Sequence, residues 1–169
     1  MTVLIIEGVD LSGKTFAIEK ISKHFKDGFL IKNLYKPISY PSEKIYLQYW
    51  RILGFIKTIK IPTFIILDRF FPSQAVYSYL RGTDEMNSHY IKELDAICAD
   101  KGFIFVLLDT DLTILEKRYD MRGDEHINKE QLKLIKKRYN IFYKQTKMKK
   151  IKLDTLKENW IKKLEKVIQ

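Results

Sequence analysis

The chain has 169 residues, 46% of them apolar and 31% charged, which favours one folded domain and excludes a large multidomain machine or a mainly disordered chain. The 31 Lys and Arg outnumber the 21 Asp and Glu by ten. That excess attracts phosphate-bearing ligands, nucleic acid or anionic surfaces without choosing among them. Much of it is lysine between Lys129 and Lys152, which reads first as a solvated helix face. One cysteine, Cys98, leaves no internal disulfide, and the opening MTVLIIEGVD lacks the basic region and cleavage site of a signal peptide. Apolar runs such as Phe103 to Leu108 fall far short of the roughly 20 residues that cross a bilayer, so a cytoplasmic protein without a membrane span is expected.

Residues 2–6, TVLII, read as a buried strand that runs into a glycine-bearing turn. From Lys14 the apolar residues Phe16, Ala17, Ile21 and Phe25 recur at helical spacing until Gly28. FLIKNLY, residues 29–35, predicts a second strand, and Lys36-Pro37 turns the chain into a loop. A helix is predicted over Glu43 to Lys60, with Ile45, Tyr49, Ile52, Phe55, Ile56 and Ile59 on its stripe. Thr63 to Leu67 predicts a buried strand, followed by helices over Phe70 to Leu80 and Met86 to Ala99. The run 103–108 is then a central strand, Asp109 to Arg118 a helix, and Arg122 to His126 a polar loop. Asn128 to Lys147 predicts a packed helix, and Ile151 with Leu153 a short last strand. Thr155 and Glu158 have the spacing of a capping box ahead of the stripe Trp160, Leu164, Val167 and Ile168. Strands that alternate with helices throughout predict an α/β fold with helices on both faces of a mainly parallel sheet, and no linker or repeat divides the 169 residues.

The strongest signal is Gly8-Val9-Asp10-Leu11-Ser12-Gly13-Lys14-Thr15, a complete G-x-x-x-x-G-K-[ST] pattern between the first strand and first helix. Glycines let successive backbone N–H groups turn inward around phosphate oxygens, and the helix N-terminus adds a favourable dipole. Lys14 is expected on the β- and γ-phosphates and the Thr15 hydroxyl on Mg²⁺. No N-K-x-D guanine-reading motif is present, and the third strand is followed by Leu67-Asp68-Arg69-Phe70 where a switch GTPase carries its D-x-x-G, so a switch GTPase is not indicated. His24, His89 and His126 lack metal-ligand clustering.

Ile6-Glu7-Gly8-Val9-Asp10 running into Gly13-Lys14-Thr15, Leu67-Asp68-Arg69 at a strand end with Ser73 and Tyr77 beyond it, and an arginine-bearing segment around 116–127 together resemble the thymidylate kinase and deoxynucleoside kinase group of P-loop kinases, small phage-type members included. The resemblance implies a three-layer fold around a five-stranded, mainly parallel sheet, with residues 116–127 as a lid. It implies ATP as phosphoryl donor, Mg²⁺, a deoxynucleoside 5′-monophosphate as acceptor, most readily dTMP, and a homodimer. By the same resemblance Asp10 holds the nucleotide sugar or organises the reacting phosphates, and Asp68 lies near hydrated Mg²⁺. Arg69 and Arg51 are placed on the acceptor phosphate, beside Tyr49 and Trp50, and Arg118 and Arg122 close over the donor phosphates. Leu11 stands where some thymidylate kinases carry an arginine, which gives the lid pair more of the work. One of Tyr46, Tyr49, Trp50, Phe55, Phe70 and Phe71 is a candidate to stack on the acceptor base.

Two departures qualify the match. Deoxynucleoside kinases usually place a Glu-Pro pair after the second strand, with the glutamate as general base; Lys36-Pro37 stands there, and a protonated lysine cannot take a hydroxyl proton. The glycine-rich continuation of the monophosphate kinases is replaced by Ser39-Tyr40-Pro41-Ser42. A nucleoside kinase, with Glu7 or Asp10 as the base, is the runner-up. A nucleic-acid substrate is permitted by the charge but not favoured, and an ATP-gated binding module is the reading outside the kinases.

Overall fold

The structure, a computed structural model, describes residues 1–25, 28–31, 42–59, 64–125 and 127–168. Its strands are β1 (Thr2–Gly8), β2 (Gly28–Ile31), β3 (Phe64–Asp68), β4 (Ile104–Leu108) and β5 (Lys149–Leu153). Its helices are α1 (Lys14–His24), α2 (Ser42–Thr58), α3 (Phe71–Tyr77), α4 (His89–Asp100), α5 (Leu112–Arg122), α6 (Lys129–Gln145) and α7 (Trp160–Ile168). The strands lie side by side in the order β2-β3-β1-β4-β5, and every pairing is parallel.

Both faces of the sheet are covered, which is why β1, β3 and β4 are near-continuous apolar runs, while β5 at the edge is lysine-rich. Ile5, Leu67 and Phe105 point to a core closed by Tyr49 of α2, Phe71 of α3, Leu94 of α4 and Leu132 of α6. Leu4, Ile6 and Val106 point the other way, to Ile21 of α1 and Trp160 and Leu164 of α7. Among the described residues no helix is long and apolar enough to cross a membrane.

Several predicted boundaries move. The helix predicted to Leu80 ends at Tyr77 and tightens into a 3₁₀ turn over Ser78–Arg81, closed by Gly82 at φ 75°. α4 starts at His89 because the Ser88 hydroxyl accepts the Ile91 N–H as an N-cap. α5 runs on to Arg122, so Arg118 and Arg122 both sit on a helix. Thr155 and Glu158 form no capping box; α7 begins at Trp160, after Asn159 at φ 64°. The capping box is instead at Asn128 and Gln131, where side chain and backbone N–H exchange bonds at the start of α6. The predicted strand residues 32–35, Lys36-Pro37, the 39–41 segment and His126 lie outside the described residues.

Candidate active site

The parallel registers place the carboxyl ends of β1, β3 and β4 together, with Ile6 opposite Asp68 and Gly8 opposite Leu108. Ligands in open α/β sheets sit at this end. Residues 9–13 turn from β1 into α1 through Leu11 at φ 69° and Gly13 at φ 83°. These left-handed positions rotate successive N–H groups toward one side, the geometry of an anion nest. Gly8 is required sterically: a Cβ there would lie 2.7 Å from Ser12 Oγ and 3.1 Å from the Leu108 carbonyl oxygen. Two donors fix the loop from outside, Thr110 Oγ1 to the Ser12 carbonyl at 3.0 Å and Arg118 Nη1 to the Leu11 carbonyl at 2.6 Å.

Lys14 opens α1 and donates to Asp68 Oδ1 at 2.7 Å, with both side chains largely shielded. The neighbouring Arg69 is held in the left-handed region at φ 65° by its N–H bond to the Ile6 carbonyl at 3.1 Å. Its Nη2 donates to Asp10 Oδ1, while Nη1 donates to Ser73 Oγ at 3.1 Å and Tyr139 Oη at 2.9 Å. Tyr77 Oη donates to the other Asp10 oxygen at 2.6 Å, and the guanidinium lies 5.2 Å from the Tyr77 ring centre. Asp10 therefore has both oxygens engaged while still facing the cavity.

Beneath this layer lies Glu7, fully buried. Its Oε1 accepts the N–H groups of Phe70 at 2.8 Å and Ser73 at 3.2 Å. Its Oε2 accepts Ser73 Oγ at 2.6 Å and Tyr139 Oη at 2.9 Å, and Arg69 stands 3.9 Å away. Phe70, the N-cap residue of α3, offers no capping side chain, so a carboxylate from β1 caps that helix. Burial pushes the Glu7 carboxyl above its ordinary value, against the pull of Arg69 and of its hydrogen bonds. A residue of β1 thus links the phosphate loop, the Asp68-Arg69 turn and α6.

A cavity of about 830 Å³ opens over these residues, lined among others by Asp10, Lys14, Thr15, Arg69 and Arg122. A second space of about 420 Å³ joins it through Leu11, Gly13, Phe16 and Arg122, and adds Met121, Thr155 and Leu156. Phe16, expected in the core stripe of α1, is 47% exposed and belongs to both cavities.

Tyr49, Trp50 and Arg51, expected on the acceptor side, lie on α2. Tyr49 is buried, packed edge-on against Phe70 at 4.9 Å, while Trp50 and Arg51 are exposed; none of the three is among the described lining residues of either cavity. Tyr46, Phe70 and Phe71 are likewise core residues, and Phe55 is exposed. Arg118 donates to the Leu11 carbonyl, and of Arg118 and Arg122 only the latter is among the described lining residues of the larger cavity. Sequence reasoning offers Glu7 only as a base and does not reach Tyr139. A lone acid inside the apolar run TVLIIEG is the available signal, since a buried charge demands partners.

Mg²⁺ takes few protein ligands and retains waters. The Thr15 hydroxyl, at the cavity, and Asp68 Oδ2, which has no hydrogen-bond partner among the described residues and whose other oxygen bonds Lys14, are oxygen donors of the right kind. Among the described residues no group of three His, Cys, Asp or Glu could hold a metal by itself.

No protein-family profile matches the chain, and no curated protein matches it in sequence. Solved structures do. The YorR protein of Bacillus subtilis, in complex with phosphorylated GDP, superposes with a TM-score of 0.73 at 22% identity over 99% of this chain and 94% of that one. Deoxyadenosine kinase of M. mycoides with bound dATP gives 0.63 at 19% identity over 98% of both chains. Thymidylate kinase of Candida albicans gives 0.64 at 18% identity over 98% of this chain and 90% of that one. The fold is that of the P-loop nucleotide kinases. At these identities the likeness is one of architecture, an α/β fold with a parallel sheet flanked by helices; acceptor and donor must be argued from the residues.

Proposed function

We propose that the protein transfers the γ-phosphoryl group of ATP to a deoxynucleoside 5′-monophosphate, with dTMP the preferred acceptor. The observation that carries the choice of a phosphate acceptor is the state of the three carboxylates at the strand ends. Glu7 is buried among donors, Asp10 is bound by Arg69 and Tyr77, and Asp68 is bound by Lys14. Glu7 and Asp10 have both oxygens engaged, and the open Oδ2 of Asp68 is assigned here to the metal, so this reading leaves none of the three as the base that a nucleoside acceptor requires, whereas an anionic phosphate needs clamping and no base. The cations Lys14, Arg69 and Arg122 around one cavity supply that clamp.

In this reading the loop N–H groups at Leu11 and Gly13, with Ser12 N–H bonded back to the Val9 carbonyl to hold the turn, and the N-terminus of α1 bind the donor phosphates. Lys14 donates to the β- and γ-oxygens, and Arg122 neutralises charge as it spreads over the transferring group. Thr15 and Asp68 would hold Mg²⁺, which when bound neutralises the phosphate oxygens. Asp10, oriented by Tyr77, faces the acceptor sugar, and Arg69, fixed by Asp10, Ser73 and Tyr139, meets the acceptor phosphate through the edge its partners leave. The departure at Lys36-Pro37 agrees with this, since a lysine beside a phosphate acceptor is tolerated where one beside a hydroxyl acceptor is not.

Ligand-linked stability tests the acceptor class. A ligand that binds the folded state raises its stability by RT ln(1 + [L]/Kd), so at millimolar concentration dTMP is expected to raise the melting temperature well above the shift given by thymidine. An equal or larger shift with thymidine than with dTMP would overturn the monophosphate assignment.

A further inference from the structure

The net charge is not spread over the molecule. Residues 1–126 contain 17 Lys or Arg and 17 Asp or Glu, whereas residues 127–169 contain 14 against 4, so the whole excess of ten belongs to the last quarter of the chain. That quarter is α6, β5 and α7, and β5 is one of the two edge strands of the sheet. The candidate active site draws almost nothing from it: Tyr139 lies in the buried network, and Thr155 and Leu156 line the smaller cavity.

The lysines gather where one flank of α6 meets β5. Lys136 donates to Asp109, Lys152 lies 3.4 Å from the same carboxylate and bonds Asn140 of α6, and Lys150 donates to the Thr146 carbonyl at 3.0 Å. Lys150 and Lys152 lie 5.4 and 5.1 Å from the centre of the half-buried Tyr143 ring. Asp109 is the anion paired within this cluster, and it is shared by two lysines. Further round the same flank Lys133, Lys137 and Lys144 are exposed and, among the described residues, without an ion-pair partner. Charged residues on an edge strand commonly guard it against pairing with another sheet, which explains the lysines of β5. It does not explain those of α6, which lie on a helix.

We propose that this face, the flank of α6 beside the β5 edge, binds the phosphate backbone of nucleic acid, apart from the catalytic cavity. A row of unpaired cations is complementary to regularly spaced phosphates, and the binding is sequence-independent because lysine reads charge and not base edges. The inference stands whether or not the protein phosphorylates dTMP, since none of these lysines lines the cavity.

The test is fluorescence anisotropy with a labelled 20-nucleotide single strand, its duplex, and a polyglutamate of equal charge, between 50 and 200 mM salt. The wild-type chain is expected to bind the oligonucleotides and to lose affinity steeply with salt. A Lys133→Gln/Lys137→Gln/Lys144→Gln variant should bind at least about tenfold more weakly at 50 mM salt. Its salt slope on the single strand should be shallower by about 2, because each neutralised phosphate of a single strand contributes about 0.7 to that slope. Its melting temperature and nucleotide-dependent stabilisation should match wild type, since these side chains are exposed and unpaired. Absence of binding at 50 mM salt, equal binding by the triple variant, or equal binding of polyglutamate would each overturn the assignment.

Discussion

Replacing Glu7 by glutamine changes one atom and tests the buried network directly. The carboxylate accepts four hydrogen bonds and faces Arg69 at 3.9 Å. An amide keeps one acceptor oxygen. Were its NH₂ group at the Oε1 position it would confront the Phe70 and Ser73 N–H groups, which cannot reverse, so it must occupy the Oε2 position. There the Ser73 and Tyr139 hydroxyls can turn to accept, but all four charge-assisted bonds become neutral ones, and Arg69 keeps the half-buried Asp10 as its remaining counterion. A loss of about 3 kcal/mol is expected, toward the low end for breaking a buried pair because Asp10 remains. For a chain of this size that lowers the melting temperature by about 6–12 °C. Urea unfolding at pH 7 measures it, with Glu7→Leu as the companion, since leucine leaves the Phe70 and Ser73 N–H groups and Arg69 all short of a partner. A Glu7→Gln loss under about 1 kcal/mol, or a Glu7→Leu variant more stable than Glu7→Gln, would refute the role given to the carboxylate.

Four further outcomes are expected. Lys14→Ala should lower kcat by at least about 100-fold in steady-state assays while the circular dichroism spectrum is retained, because a charge aimed at the transferring phosphate is removed. Asp68→Asn should raise the Mg²⁺ concentration needed for half-maximal turnover more than it changes the KM for the acceptor; an unchanged metal titration would reject its place at the metal. At Asp109 partial burial, which would raise the carboxyl, is outweighed by Lys136 and Lys152, so its pKa is lowered. The stabilisation is therefore present above about pH 4 and lost as pH falls through the folded value, and Asp109→Asn should remove up to about 1 kcal/mol of the stability difference between pH 5 and pH 2 in urea titrations. Arg138 is buried, with Nε on the Val76 carbonyl at 2.9 Å and Nη2 on the Ala75 carbonyl at 3.1 Å and Asp84 at 2.7 Å; Arg138→Lys cannot span all three and should cost about 2–3 kcal/mol by thermal melting.

The elements that the sequence discloses best are those whose signal is local. The phosphate loop is legible because glycine spacing and the following Lys-Thr act within eight residues, and β1, β3 and β4 because two covered faces leave almost nothing polar in them. What is not legible depends on partners distant in sequence. Arg69 reads as a free phosphate clamp until Asp10, 59 positions away, and Tyr139, 70 away, are brought to it. Glu7 caps a helix that starts more than sixty residues later. Tyr49 and Trp50 are adjacent aromatics, yet one lies in the core and the other in solvent, because the turn of α2 and not residue type decides which face is covered. Thr155 has the spacing of a capping box without a helix directly behind it, and the box forms at Asn128, where a helix follows.

The most direct measurement is ³¹P NMR of the purified protein with ATP, Mg²⁺ and, in separate reactions, dTMP, the other deoxynucleoside monophosphates, thymidine and a DNA oligonucleotide. Growth of the dTDP resonances as ATP falls to ADP, faster with dTMP than with any other acceptor, is the expected result. Phosphorylation of thymidine or of DNA without conversion of dTMP, or hydrolysis of ATP to free phosphate with every acceptor left unchanged, would contradict the proposal that the cations of this cavity clamp a nucleotide phosphate for transfer.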